Sequence, residues 1–274
     1  MSPWKMLSLA ATPLKAALST VGLKINRVRH APYEELWQVP RFTEHAVRLL
    51  DRPFRIADSR SFFFSYQEIF VEEIYRFETT SATPRIIDCG SNYGTSIVYF
   101  NNRYPGARIT GIEADPAIYA LLRSNTSHLM DIDLLQAAVS HDSTPLRFYR
   151  EGSDGGRAGQ VIENAKQILE VPAVTLDKLI GDDRIDFLKI DIEGAEGAAI
   201  EACSKLDQVE QMFIEYHSFR SSAQRLGALL DRLAAHGFRY YIHEQFCSPR
   251  PLIEEALQLG MDLQLNIFAK RAGS

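Results

Sequence analysis

Lys189, Asp191 and Glu193 put three charged groups at alternate positions of Ile185-Asp-Phe-Leu-Lys-Ile-Asp-Ile-Glu-Gly-Ala-Glu196, a stretch that otherwise reads as a buried strand over 185 to 192. Strand side chains alternate, so Phe187, Lys189, Asp191 and Glu193 are expected on one face and Leu188, Ile190 and Ile192 on the other. Charge is costly to bury unless it is paired or used. Gly194 and a helical run from Ala195 to Leu206 follow at once, which sets the acids at the carboxyl end of a strand, where open α/β sheets bind ligands. Glu215 and His217 then stand two residues apart at the end of the next strand, on one face and beside Asp191. Such a group suits proton transfer from a hydroxyl. An imidazole, with a reference pKa of about 6.5, makes His217 the first candidate for general base. Asp191 is expected to orient and stabilise that ring, with Glu193 as a further acid. Asp191, Glu193, Glu215 and His217 could instead ligate a divalent cation, but no ligand spacing singles out a metal and none is expected. Lys189 could serve as a base if desolvated, but a structural ion pair with a neighbouring acid is preferred.

A second wall lies about a hundred residues earlier, in Arg85-Ile-Ile-Asp-Cys-Gly-Ser-Asn-Tyr-Gly94, a short apolar strand running into a glycine turn and a helix. Gly90 and Gly94 permit a tight turn and close approach of a ligand. The strand Arg108-Ile-Thr-Gly-Ile-Glu113 ends in an acid about 20 residues on, where a nucleotide-binding unit holds the ribose hydroxyls. The dinucleotide pattern wants a middle glycine where Asn92 stands, so no glycine bed for a pyrophosphate is evident. A nucleoside cofactor without phosphates, such as S-adenosylmethionine, fits better.

Asp-Cys-Gly-Ser-Asn-Tyr-Gly, Gly-Ile-Glu-Ala-Asp-Pro, Thr-Leu-Asp-Lys-Leu (175 to 179), Leu-Lys-Ile-Asp-Ile-Glu-Gly-Ala-Glu and Phe-Ile-Glu-Tyr-His (213 to 217) occur in this order. Together, over roughly residues 65 to 270, the chain resembles the FkbM family of S-adenosylmethionine-dependent methyltransferases. The resemblance implies an α/β, Rossmann-like class I methyltransferase fold, with a mostly parallel seven-stranded sheet and helices on both faces. It implies O-methylation of a hydroxyl on a sugar, glycan or polyketide-type natural product, so the partner is a small-molecule or glycan acceptor. The alternatives are N-methylation of a peptide or amine, or a nucleotide-dependent oxidoreductase or nucleoside-binding domain. For the cofactor, Asp88 is expected to meet the amino group, the backbone of Gly90, Asn92 and Gly94 the carboxylate near a helix amino terminus, and Glu113 the ribose. Ala137 and Ala138 leave room for the adenine.

A formal net charge of −5 gives no general polyanion-binding signature, so nucleic acid is not expected as a partner. Cys89, Cys203 and Cys247 have no C-x-x-C spacing, which suggests neither a disulfide framework nor a zinc site and makes a reducing cytoplasm the default. Lys5, Lys15, Lys24, Arg27 and Arg29 precede any acid, and apolar residues from Trp4 to Ile25 partly follow helical spacing, interrupted by Pro13. This permits an amphipathic helix, either packed on its own domain or docked peripherally on a membrane or partner. No run of about 20 apolar residues exists, so no transmembrane segment is expected.

From Arg41 to Thr83 the pattern reads helix, short strand and long helix, its many aromatics serving as core or as a lid over the site. Thr79-Thr-Ser-Ala-Thr-Pro84 reads as a linker. The division expected is a helical extension over 1–80 and a methyltransferase domain over 81–274. Past the linker, strands at 85–88, 108–113, 132–138, 185–192 and 210–215 alternate with helices, which implies a parallel sheet. A glycine-rich loop, 151–159, is the expected lid or acceptor loop, and strands 238–243 and 262–270 could form a closing antiparallel hairpin.

Overall fold

Short apolar strands separated by amphipathic helices build one sheet of seven strands: β3 (Arg85–Cys89), β4 (Arg108–Glu113), β5 (Ile132–Gln136), β11 (Ile185–Ile190), β12 (Val209–Phe219), β13 (Phe238–Cys247) and β14 (Met261–Arg271). Their order across the sheet is β13-β14-β12-β11-β3-β4-β5. The computed structural model describes residues 32–150, 156–158 and 167–271. The basic amphipathic segment and much of the glycine-rich loop lie outside these residues. β12, β11, β3, β4 and β5 are parallel, and β14 runs antiparallel to both β12 and β13, forming the closing hairpin that the family resemblance implies. A mostly parallel seven-stranded sheet is the architecture that the family resemblance implies.

β3 and β11 lie at the centre and are buried on both faces, as strands covered by helices on each side must be. On one face Ile87, Leu188, Ile190 and Ile214 pack with Ala199 and Ile200 of α5 (Glu196–Ala202) and Leu229 and Leu233 of α6 (Leu226–Ala235). On the other, Ile86, Phe187 and Phe213 pack with Ile97 and Phe100 of α2 (Thr95–Arg103). Each such buried side chain contributes about 1.5–3 kcal/mol.

The segment ahead of the sheet departs from the helical expectation. Residues 45–56 form the hairpin β1 (His45–Leu49) and β2 (Arg52–Ile56), followed by α1 (Ser59–Tyr66) and a π-helical turn, Gln67–Val71. Leu50 and Asp51 both take positive φ, 48° and 63°, the demand of a type I′ turn, without the Asn-Gly or Asp-Gly pair that normally announces one. Of the aromatic run, Phe62, Tyr75 and Phe77 are core while Phe64 is exposed: Tyr75 meets Phe213 edge-on at 4.8 Å, and Phe77 stacks on Phe187 at 4.7 Å. The chain divides into compact units Met1–Trp37 and Gln38–Ser274, and in the first the described residues enter a 3-10 turn at Glu34–Gln38. Residues 79–84, read as a linker, fall inside the second unit. Thr79 Oγ1 donates to Asp186 Oδ1 at 2.8 Å, and the Arg85 N–H donates to Asp186 Oδ2 at 2.9 Å.

Other differences shape the site. The strand expected over 132–138 breaks at Ala137; β6 (Ala138–Ser140) leaves the main sheet to pair with β10 (Ala173–Thr175). Part of the glycine-rich loop, Gly156–Ala158, is itself a strand, β8, paired with β7 (Leu146–Arg150), which β9 (Gln167–Val171) flanks on its other side. β11 stops at Ile190, two residues early, because Glu193 and Gly194 turn the chain at φ 56° and 101°. Glu193 therefore sits in a turn and not on the strand face. No helix among the described residues is long and apolar enough to cross a membrane.

Candidate active site

The glycine turn after β3 is tied to β4, since the N–H groups of Gly90 and Ser91 both donate to the Ile112 carbonyl, at 3.0 and 2.8 Å. Gly90 has φ 83°, and a Cβ there would stand 1.8 Å from the backbone oxygen of Asp191. Only glycine lets the two strand ends abut. Asn92 takes φ 49°, a conformation asparagine tolerates better than other side chains, so it fills the middle-glycine position without losing the turn. Its N–H donates to Glu113 Oε2 at 3.0 Å.

Gly90, Asn92, Glu113, Ala137 and Ala138 line one cleft, together with Asp191 and Glu193. Gly94 does not; it opens α2 in the left-handed conformation and faces Leu122. Asp88 does not either: it is fully buried beneath the cleft, where Ser96 Oγ donates to it at 2.5 Å. Asp115, Ile118, Val139 and Phe148 also line the cleft, and sequence reading missed all four. Asp115 was findable, since Asp-Pro announces a helix start, and its carboxylate caps α3 (Pro116–Thr126). Phe148 arrives from the small β8-β7-β9 sheet and carries no local signal.

Glu113 Oε1 accepts the N–H of Asp115 at 2.8 Å, while Oε2 takes that of Asn92. Each oxygen keeps a lone pair. Burial pushes the carboxyl up to about 7, against the pull of the two N–H groups.

Lys189 is nearly inaccessible, and its ammonium contacts Asp88 Oδ1 at 3.2 Å and Asp191 Oδ2 at 3.4 Å. Burial opposes its charge, but Asp88 and Asp191 outweigh burial and hold the pKa well above the ordinary lysine value. A permanently charged lysine is an ion-pair element and no base.

His217 points from β12 to the same sheet edge. Asp191, Glu215 and His217 bring ligand-capable atoms within 4.8 Å of one another, a spacing open to a cation as well as to proton transfer. His217 Nε2 stands 3.8 Å from Glu215 Oε1 and 3.9 Å from Glu193 Oε2. Nδ1 lies 2.9 Å from Glu196 Oε1, so the orienting carboxylate is Glu196, where Asp191 was expected. Asp191 is drawn instead to Lys189. Burial opposes a charge on His217, yet Glu196, Glu193 and Glu215 overcome it and raise the pKa well above the ordinary imidazole value. Glu215 accepts a hydrogen bond from Gln264, and burial and Asp191 push its carboxyl up to about 8. Glu68, on the π-helical turn, is raised to about 7 by burial, then by Glu72 and Asp191. The site is thus crowded with carboxylates around one imidazole.

Residues 88–240, more than half the chain, match the family model described as the methyltransferase FkbM domain. Among characterised proteins, the chain is 27% identical over 169 residues to methyltransferase sdnD of Sordaria araneosa, covering 48% of this chain and 65% of that one. It is 28% identical over 256 residues to the AMB antimetabolite synthetase AmbE of Pseudomonas aeruginosa, covering 76% of this chain and 12% of the synthetase. The chain thus spans a small part of the synthetase and just under two thirds of the fungal enzyme. The FkbM methyltransferase structure from Methylobacillus flagellatus aligns with 18% identity and a TM-score of 0.44, over 70% of this chain and 45% of that one. By the match across more than half of its length, the chain belongs to the FkbM family of S-adenosylmethionine-dependent methyltransferases.

Proposed function

We propose that the protein transfers a methyl group to a hydroxyl oxygen of a small-molecule or glycan acceptor such as a sugar or polyketide. The observation that carries this reading is the meeting of two groups of residues at one cleft. Glu113, Gly90, Asn92, Ala137 and Ala138 share the cleft with Asp191 and Glu193, and Asp191 lies within 4.8 Å of Glu215 and His217.

The residues present fit S-adenosylmethionine. Glu113 has a lone pair on each oxygen for the two ribose hydroxyls, Ala137 and Ala138 leave space for the base, and Ile118 and Phe148 supply apolar walls. The Gly90–Asn92 backbone receives the amino-acid end. Asp88, already held by Lys189 and Ser96, supports this floor from below. When bound, the cofactor supplies an electrophilic methyl on a sulfonium sulfur. The chain's own work is alignment and proton removal, of which a positioned base typically contributes 10²- to 10⁴-fold. His217, its Nε2 facing Glu193 and Glu215, takes the acceptor's proton once its own has been released. Asp191 and Glu193 orient the hydroxyl. The spacing of Asp191, Glu215 and His217 favours a second reading, in which a divalent cation binds the acceptor oxygen.

Mass spectrometry of glycan and metabolite extracts incubated with the protein and methyl-labelled S-adenosylmethionine tests the function. Label on an acceptor oxygen is expected. Label confined to nitrogen would sink the O-methylation reading.

A further inference from the structure

We infer that Glu196 is the positioning residue of this site: it sets which nitrogen of His217 faces the acceptor, and it clamps the turn carrying Asp191 and Glu193 against the same ring. The inference rests on His217 taking part in the reaction.

Glu196 is fully buried in the first turn of α5. A buried carboxylate must have its charge answered. Here the answer comes from His217 Nδ1 at 2.9 Å and from backbone: the Ile192 N–H donates to Oε1 at 3.2 Å, and the Gly194 N–H is shared between Oε1 at 2.9 Å and Oε2 at 3.1 Å. Between those two N–H groups lies Glu193, at φ 56°, a left-handed conformation that is strained for a glutamate. Hydrogen bonds on either side hold it there. The same oxygen that fixes the turn also fixes the ring.

The consequence for the imidazole is directional. A carboxylate only accepts, so Nδ1 must carry the proton toward Glu196, and the neutral ring presents Nε2 as its acceptor. Glu193 and Glu215 stand 3.9 and 3.8 Å from Nε2, beyond hydrogen-bond length, so neither fixes the ring from that side. The Phe219 ring lies nearly parallel to the imidazole, 12° apart with centroids at 6.3 Å. Glu196 on α5, Glu193 in the turn, Glu215 on β12 and Asp191 just past β11, within 4.8 Å, are the carboxyl groups facing His217, and Glu196 is the one bonded to it.

A helix-capping role alone would need only an acceptor; a positioning role needs the charge. Glu196→Gln separates the two, because the amide oxygen still accepts from the turn while the charge is lost. The test is an NMR titration of histidine-labelled full-length protein with S-adenosylhomocysteine bound, beside steady-state kinetics on the acceptor found above. In wild type, the neutral His217 is expected as the Nδ1–H tautomer. In Glu196→Gln its midpoint should fall by at least about one unit. The maximal rate should drop roughly 10- to 10²-fold, the KM for S-adenosylmethionine should stay within about threefold, and the acid limb should move down in pH with the NMR midpoint. An Nε2–H tautomer in wild type, a reading that needs no variant to fold, overturns the inference. So does a Glu196→Gln midpoint equal to wild type. A shifted midpoint with an unchanged rate and pH profile would instead remove His217 from the reaction, and the catalytic half of the inference with it.

Discussion

Lys189 Nζ donates to the carbonyl oxygen of Gly90 at 2.7 Å, closing a gap of 99 residues in the chain. The same ammonium pairs with Asp88 and Asp191, so one buried cation joins the floor of the glycine turn to the acid end of β11. The two walls of the cleft are pinned together at their base.

Removing that cation leaves Asp88 buried without its counter-charge. Lys189→Met should lower stability by about 3–5 kcal/mol in urea denaturation, and adding Asp88→Asn should recover much of the loss. Equal stability of Lys189→Met and wild type would mean the pair is not structural.

Gly90→Ala introduces both a disfavoured φ and a Cβ on top of the Asp191 carbonyl. The backbone cannot yield there as a side chain would. Thermal melts should report a loss of at least about 2 kcal/mol, and calorimetry at least tenfold weaker S-adenosylhomocysteine binding. Gly227, inside α6 with open space around its Cβ position, is the control: Gly227→Ala should stabilise by about 0.5–1 kcal/mol.

Glu113→Ala should weaken S-adenosylhomocysteine binding by about 1–3 kcal/mol with the fold intact. Because the carboxyl is raised to about 7, wild-type affinity should climb from pH 6 to pH 8 as the better acceptor, the carboxylate, forms. The variant's affinity should be flat over that range. A pH-independent wild type would detach Glu113 from the ribose.

The crowded carboxylates carry a cost in stability with a definite sign. A carboxyl whose folded pKa lies above its ordinary 4.5, as for Glu215 at about 8, favours the folded state while protonated. That contribution is lost as pH rises from about 4.5 through about 8. Glu215→Gln, which can still accept from Gln264, should therefore be more stable than wild type at pH 8.5, with the advantage vanishing below pH 4.5. Chemical denaturation at several pH values measures it; an advantage that grows toward low pH would refute the assignment.

His217→Ala and Asp191→Asn should each slow methyl transfer in single turnover while leaving cofactor binding largely intact, His217→Ala by about 10²- to 10⁴-fold. As the imidazole pKa is raised, the wild-type acid limb should extend to the alkaline side of neutrality and be absent from His217→Ala. Chelator should change neither. Activity lost with chelator and restored by Mg²⁺ or Mn²⁺ would favour the cation reading.

Local signals were sufficient wherever one short stretch carried the physics. The apolar strand ending at the Gly90 turn, the acid at the end of β4 and the shared face of Phe187 and Lys189 follow from period and turn chemistry alone, and they carried the likeness to methyltransferases. The parallel order of the sheet followed from the alternation of strands and helices. What depended on non-local packing was not legible. The β1–β2 hairpin uses Leu50 and Asp51 at positive φ, tolerated only within the folded unit. Phe148 reaches the cleft because a separate small sheet folds back on it.

The chain's residue order therefore determined which groups stand at strand ends, since side-chain period and glycine turns act over a few residues. It did not determine which charges answer one another. Asp88, expected at the cofactor, is claimed by Lys189, and the ring of His217 by Glu196 rather than Asp191. Those pairings were decided by the tertiary fold, because electrostatic partnership depends on distances across the sheet and on burial, and both exist only once β3, β11, β12 and α5 have packed together.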